Sequence, residues 1–489
     1  MDALLETIVG WLWGLPLIFT VLFVGLYFTI GSKLFQFSYL PHIFKETFGK
    51  LFGKKEKSED SKGILTPFQA VATAIGGSVG VGNIGGVATA IAIGGPGAVF
   101  WMWITALLGM ITKTVEVTLS VYYRNTDEKG NPYGGPTYYM EKGLGEEKNF
   151  KFWKVPAILF GVGIFTTFFI TLQNYTISEA VSSTFDIGMI PASFIYLTII
   201  YIIIYGGIKR IGEIASLLVP FMCMFYVIAG LYIIFKNYTE IIPVFSLIFD
   251  SAFSGMAAVG GFTGAAIAQV IRMGVARAVY SNEAGWGTSP MIHSTAKTSH
   301  PIKQGMWGAM EVFADTMIVC SITAFTIIIT GVWSSGLDGA ALTLSAFEIG
   351  IGEIGRYIIT ISIFLFGLTT STGWYTYYEI ILRHLFNNEK KLALKYKILT
   401  LFKWLYPIPG SLMVIYAVMN DMPGKAVWYF ADITTAIPTF VNLIVILFLS
   451  KKFFELLRDY KARYLNIGIV DPDFNVFYED KVKKGSYKA

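Results

Sequence analysis

Ala74-Ile75-Gly76-Gly77-Ser78-Val79-Gly80 in the first half of the chain has a counterpart in the second, Ala258-Val259-Gly260-Gly261-Phe262-Thr263-Gly264. The alanine, the glycine pair and the closing glycine coincide. Glycine inside a helix costs about 1 kcal/mol relative to alanine, so two such clusters in matching apolar segments read as purposeful breaks. Small residues that let helices pack closely are the plainer explanation of one cluster; the matched placement of two favours breaks. A dinucleotide-binding glycine loop does not fit, because no strand precedes either cluster and no βαβ unit is available.

Outward from the first cluster the chain alternates between long apolar runs and short polar ones. A bilayer core needs about 20 apolar residues as helix. Eleven spans are predicted on that basis: Val9–Ile30, a Gly-rich segment from Thr66 through Gly97, Ala98–Tyr123, Val155–Ser182, Pro191–Tyr205, Ile214–Phe235, Ile242–Ile271, Met306–Val332, Ile354–Leu385, Leu399–Met419 and Ala426–Leu449. Only 15% of the residues are charged against 54% hydrophobic, too few charges for a water-covered surface of this size. With the amino terminus outside and the carboxyl terminus cytoplasmic, 34 of the 38 Lys and Arg fall in cytoplasmic segments, the sorting that the positive-inside rule demands. That places the protein in the plasma membrane as a multi-pass protein.

Without the first span, ten remain, and two sets of five must insert with opposite topology. The predicted fold is therefore an all-α integral membrane protein with one extra N-terminal helix and a 5+5 inverted repeat, its first and sixth core helices broken. The segments are 1–65 (extra helix and basic linker), 66–236 and 237–450 (the two repeats) and 451–489 (a basic tail with interleaved aromatics, read as lying on anionic lipid). Freed N–H groups at a break favour a carboxylate, and freed carbonyls favour a hard cation. No Lys or Arg lies within 73–97 or 253–271, so backbone would supply most of a carboxylate's stabilisation there.

Four ordered stretches carry a family resemblance: Gly76-Gly77-Ser78-Val79-Gly80-Val81-Gly82-Asn83-Ile84; Gly134-Gly135-Pro136-Thr137-Tyr138-Tyr139-Met140 followed by Gly143-Leu144-Gly145; Ser281-Asn282-Glu283-Ala284-Gly285-Trp286-Gly287; and His300-Pro301. Together they resemble the alanine or glycine:cation symporter family, whose fold is of the leucine-transporter type, over nearly all of the ten-span core. The resemblance implies import of alanine or glycine, with D-alanine among the candidates, coupled to Na+ by alternating access, with no organic cofactor. It implies a sodium site made by the carbonyls of Gly76, Val79 and Phe366 and the hydroxyls of Thr369 and Thr370, and makes Asn83 a candidate ligand of a second sodium. It also implies a substrate site at the breaks, with Thr73, Gly77 and Gly80 lining it. The carboxylate would rest on amides near Val81 and Gly82, and the ammonium on carbonyls near Gly260, Gly261 and Thr263.

Trp374 lies four residues after Thr370, on the same helix face, where an indole would exclude long side chains. Gln173, in register with Phe169 and beneath the aromatic stripe that includes Phe168, is a polar amide at membrane depth and a candidate substrate or gate contact. Among the buried charges, Lys113 and Glu116 (i,i+3) and Glu311 and Asp315 (i,i+4) read as pairs, and intramembrane acids keep proton coupling open as an alternative. His293 and His300, in a polar cytoplasmic loop from Ser281 to Lys303, lack the companions of a zinc site. Cys223 and Cys320 read as small core residues. A channel would need a filter or acid ring, and an enzyme a catalytic constellation at depth; neither pattern is present. The expected partners are a small amino acid, sodium and lipid, with no nucleic acid, and no protein partner is inferable.

Overall fold

Thr66, Pro67 and Gln69 start the helix that carries the first glycine cluster. Thr66 Oγ1 accepts from the Gln69 N–H at 3.1 Å, and Gln69 Oε1 accepts from the Thr66 N–H at 3.0 Å. This capping box, with Pro67 preset for the first turn, fixes the entry. The helix Pro67–Ser78 stops at Val79, whose φ of −72° and ψ of 93° are extended, and helix resumes as a π turn, Gly82–Gly86, leading into Val87–Gly94. The two halves are bent by 49°. The break expected in the first half is therefore present. Of its counterpart, residues 258–263, including Gly260, Gly261 and Thr263, lie outside the described residues.

The computed structural model describes residues 2–51, 63–169, 172–254, 264–387, 392–422 and 424–483. Helices dominate them; the strands among them, Asn125–Thr126 and Pro132–Tyr133, pair in one short hairpin. Among the described residues six helices are long and apolar enough to cross a membrane, or up to eight if each bent pair counts as one span. Their outer faces are apolar. The helix Gly207–Lys236 exposes Leu217, Phe221, Met224, Ile228, Tyr232 and Phe235 while burying Ile211, Ala215, Val219, Met222, Tyr226 and Ala229. Such a stripe, with Leu217 74% exposed, is stable against hydrocarbon and costly against water.

Polar groups collect in the interior instead. Arg277 forks onto Asp432, with Nη1–Oδ1 at 2.6 Å and Nη2–Oδ2 at 2.7 Å. Trp13 of the N-terminal segment donates to the Asp432 carbonyl at 3.0 Å, so the extra first helix is stapled to the last long helix, Gly424–Phe448. That first span is two helices, Asp2–Leu12 and Leu15–Gly31.

Three regions depart from the sequence reading. The apolar helix Gly339–Ile351, 13 residues and too short for a span, packs against the π turn and the long helix Glu353–Leu385. The segment 281–303, read as a polar cytoplasmic loop, is almost wholly buried, because its polar groups pair with side chains of neighbouring helices. Several of the tail's aromatic residues pack on the protein. The helix Ser450–Leu465 bends 61° from the one before it and buries Phe453, Leu456, Leu457 and Tyr460 against the protein. Tyr478, 1% exposed, bonds to Glu146, and Lys481 pairs with Glu147 at 2.8 Å.

Candidate functional site

The broken helix and the helix Glu353–Leu385 meet through their smallest residues. A Cβ added to Gly373 would sit 2.9 Å from the Gly77 Cα, and one added to Gly76 would sit 3.0 Å from the Thr369 Cβ. A Cβ on Gly80 would overlap the Thr370 hydroxyl. The glycines thus set the approach at which side-chain hydroxyls of one helix meet carbonyls of the other.

At this contact the two threonines behave differently. Thr370 Oγ1 reaches across to the Gly76 carbonyl at 3.0 Å. Thr369 Oγ1 turns back onto its own helix, to the Phe366 carbonyl at 2.9 Å and the Leu365 carbonyl at 3.2 Å. Gly76, Phe366, Thr369 and Thr370 therefore present neutral oxygens in one buried locus beside the break, and Val79, also buried, ends the helix next to it. Neutral oxygen donors without a carboxylate suit a hard monovalent cation.

One turn on, Trp374 Nε1 donates to Glu283 Oε1 at 3.1 Å. Its ring meets Trp286 at 5.0 Å and Tyr377 at 5.6 Å between centroids. Phe168 connects to this group through Tyr378, which stands 5.9 Å from Phe168 and 5.9 Å from Trp374. Gln173 is half-buried and makes no hydrogen bond among the described residues; it is not brought to the cluster. Its neighbour Asn174 bonds Ser411 at 3.2 Å and accepts from Ser178 at 3.1 Å. Thr73 spends its hydroxyl on the Gln69 carbonyl at 2.7 Å. Val81 and Gly82 are fully buried at the break.

Asn83 caps the break, its Oδ1 accepting from the Gly80 N–H at 2.9 Å, while Nδ2 donates to Asp315 Oδ1 at 2.6 Å. Asp315 Oδ2 accepts from Ser281 and Thr316, each at 2.8 Å. All four side chains are buried, and no ion pair reaches Asp315 among the described residues.

The pairs expected from helical spacing are rearranged. Lys113 ion-pairs with Glu311 at 3.6 Å and donates to Ser289 and to the Glu283 carbonyl, at 2.7 and 2.9 Å. Glu116 instead accepts from the Gly285 N–H at 3.0 Å and from Asn442. Glu311 also faces His293 Nε2 at 3.0 Å, and His293 Nδ1 meets Gln304 at 2.7 Å. The reason is the folded-in segment 281–296, which inserts its own polar groups between these helices. His300 caps the helix Pro301–Val312: its Nδ1 accepts from the Ile302 N–H at 3.1 Å, which leaves the proton on Nε2 for Asp459 at 3.2 Å.

Sequence reasoning did not connect Glu283 to Trp374 or Asp315 to Asn83. Asp315 was signalled by an acid in an apolar segment, whereas Glu283 stands in a polar stretch; each partner comes from a distant part of the chain.

Similarity to known proteins gives the family and the fold. The sodium:alanine symporter family matches residues 1–474. The sodium/alanine symporter AgcS of Methanococcus maripaludis is 37% identical, over 92% of this chain and 94% of that one. A probable sodium/glutamine symporter, GlnT of Bacillus subtilis, is 37% identical over 99% of this chain and 95% of its own. Among solved structures, MhsT in complex with L-phenylalanine superposes with a TM-score of 0.55 at 14% identity, covering 79% of this chain and 89% of that one. That likeness gives the leucine-transporter-type fold. The chain is a multi-pass membrane transporter, not an enzyme, and it belongs to the sodium:alanine symporter family.

Proposed function

We propose that the protein imports a small neutral amino acid, alanine or glycine, together with Na+ by alternating access. The observation that carries this reading is the convergence of neutral oxygens at the first break, with Thr370 Oγ1 3.0 Å from the Gly76 carbonyl and Thr369 Oγ1 2.9 Å from that of Phe366. An ion there would pull the Pro67–Ser78 helix and the Glu353–Leu385 helix together, and its loss would let them part, which is the coupling that alternating access requires. The Val79 carbonyl would complete the shell. The amino acid would sit at the break itself, its carboxylate near Val81 and Gly82, its ammonium toward 260–263 and its side chain against Trp374. The amino terminus would lie outside and the carboxyl terminus in the cytoplasm, with 66–236 and 237–450 as the two inverted halves.

Alanine binding to the purified protein, compared in sodium and in choline buffers, tests the coupling. Sodium is expected to raise the affinity for alanine at least about tenfold; equal affinity in both buffers contradicts the reading.

Asp315 supports a second cation. A buried carboxylate whose hydrogen bonds come from the neutral groups of Asn83, Ser281 and Thr316 favours occupancy by a proton or a sodium ion. Asp315→Asn is expected to lower the Hill coefficient for sodium or, if the cation is a proton, to flatten the pH dependence of uptake. Retention of both excludes a coupling role.

A further inference from the structure

Glu283 is a carboxylate buried to 1% exposure, and nothing in the coupling scheme above uses it. Its two oxygens are divided: Oε1 accepts from Trp374 Nε1 at 3.1 Å and Oε2 from Thr288 Oγ1 at 2.6 Å. One carboxyl group therefore holds both the indole N–H and the Thr288 hydroxyl. The residue holding them is itself immobilised. Glu283 has a φ of 55°, in the left-handed region, and its carbonyl accepts from Lys113 Nζ at 2.9 Å. Two residues on, the Gly285 N–H donates to Glu116 at 3.0 Å. Lys113 and Glu116 both belong to the helix Ala98–Tyr122, so that helix clamps the turn from two points. Trp286 of the same turn meets the Trp374 ring edge-on at 5.0 Å.

We propose that Glu283 is a positioning residue that sets the size limit on the transported side chain, by fixing the rotamer of the Trp374 indole. The inference rests on the reading of Trp374 as a wall of the substrate site. Trp374 is one turn from Thr370, so a small rotation of the indole would change the space beside the ion. Among the described residues Glu283 is the acceptor of the indole N–H, while Trp286, Tyr377 and Tyr378 meet the indole through their rings.

The test is competition against labelled alanine uptake in proteoliposomes, with 2-aminobutyrate and norvaline as competitors one and two methylenes larger. The measured quantity is the ratio of half-inhibitory concentrations for competitor and alanine, which does not depend on how much folded protein is present. Glu283→Ala is expected to lower that ratio about tenfold, the order set by one methylene in a pocket. Glu283→Gln keeps an acceptor for the indole and is expected to retain the wild-type ratio. Trp374→Phe removes the N–H and should match Glu283→Ala, and combining the two should add nothing further. An unchanged ratio in Glu283→Ala, or additive effects in the double variant, overturns the proposal. If Glu283→Ala fails to fold, Trp374→Phe with an unchanged ratio overturns it as well. Trp374→Ala separates the two claims. If it leaves the ratio unchanged, the wall reading is wrong; if it lowers the ratio while Glu283→Ala and Trp374→Phe do not, only the positioning role is.

Discussion

Thr369 and Thr370 are adjacent, yet one bonds its own helix and the other bonds the Gly76 carbonyl across the break. A threonine that satisfies itself locally is the common situation in a membrane helix; one that bridges two helices is where an ion gains most by intervening. Replacing both by valine keeps the shape and removes two oxygens. Half-saturating sodium for alanine binding is expected to rise at least about tenfold, some 1.4 kcal/mol, and an unchanged sodium requirement would remove the site. Gly373 gives a purely mechanical prediction. Its absent Cβ would lie 2.9 Å from the Gly77 backbone, and backbone cannot give way as a side-chain tip can. Gly373→Ala is expected to destabilise by about 1–3 kcal/mol, read as a lower Tm in detergent and reduced uptake. The glycines and hydroxyls of this contact were legible because of their pattern, a glycine cluster matched in both halves and successive threonines at 369 and 370. The bond from Trp374 to Glu283 was not, since it depends on how a distant turn folds.

The same contrast holds for the elements. Long apolar runs such as Ala98–Tyr122 and Gly207–Lys236 were legible, because hydropathy alone dictates a helix across a bilayer. The helix Gly339–Ile351 escaped notice because 13 residues fall below a span's length. The segment 281–303 was misjudged because its polarity suggests solvent, whereas Lys113, Glu116, Glu311 and Asn442 supply the partners that bury it. The helix Ser450–Leu465 is tied to this segment by Asp459 and His300, which lie outside the spans. Burial pushes the His300 imidazole below its usual 6.5, against the pull of Asp459. Burial works against the Asp459 charge too, but hydrogen bonds from His300 and Arg463 outweigh it and hold the carboxyl below 3.8. His300 takes up a proton less readily docked than released. Docking is therefore at full strength above 6.5 and weakens as the pH falls through that value; Asp459 adds a further loss only below 3.8. Hydrogen exchange in 450–465, corrected for intrinsic rates, is expected to be faster at about pH 5 than at about pH 7.5. Equal protection at both would deny His300 that role.

The molecule as a whole has an apolar outer surface around an apolar core, and the polar groups buried in that core bond to one another. Its basic residues sort so that 34 of 38 fall on one side of the predicted topology. That sorting makes a prediction: single cysteines placed at Lys209 and Lys236, in an otherwise cysteine-free background, should label from opposite faces of intact cells. Labelling of both from one face would break the span order. The central claim is that sodium drives a small amino acid through the break at Gly76. Its most direct test is uptake of labelled alanine into proteoliposomes under imposed ion gradients. An inward sodium gradient is expected to drive accumulation above equilibrium, and a proton gradient without sodium to drive none. Accumulation driven equally by protons alone would contradict the account.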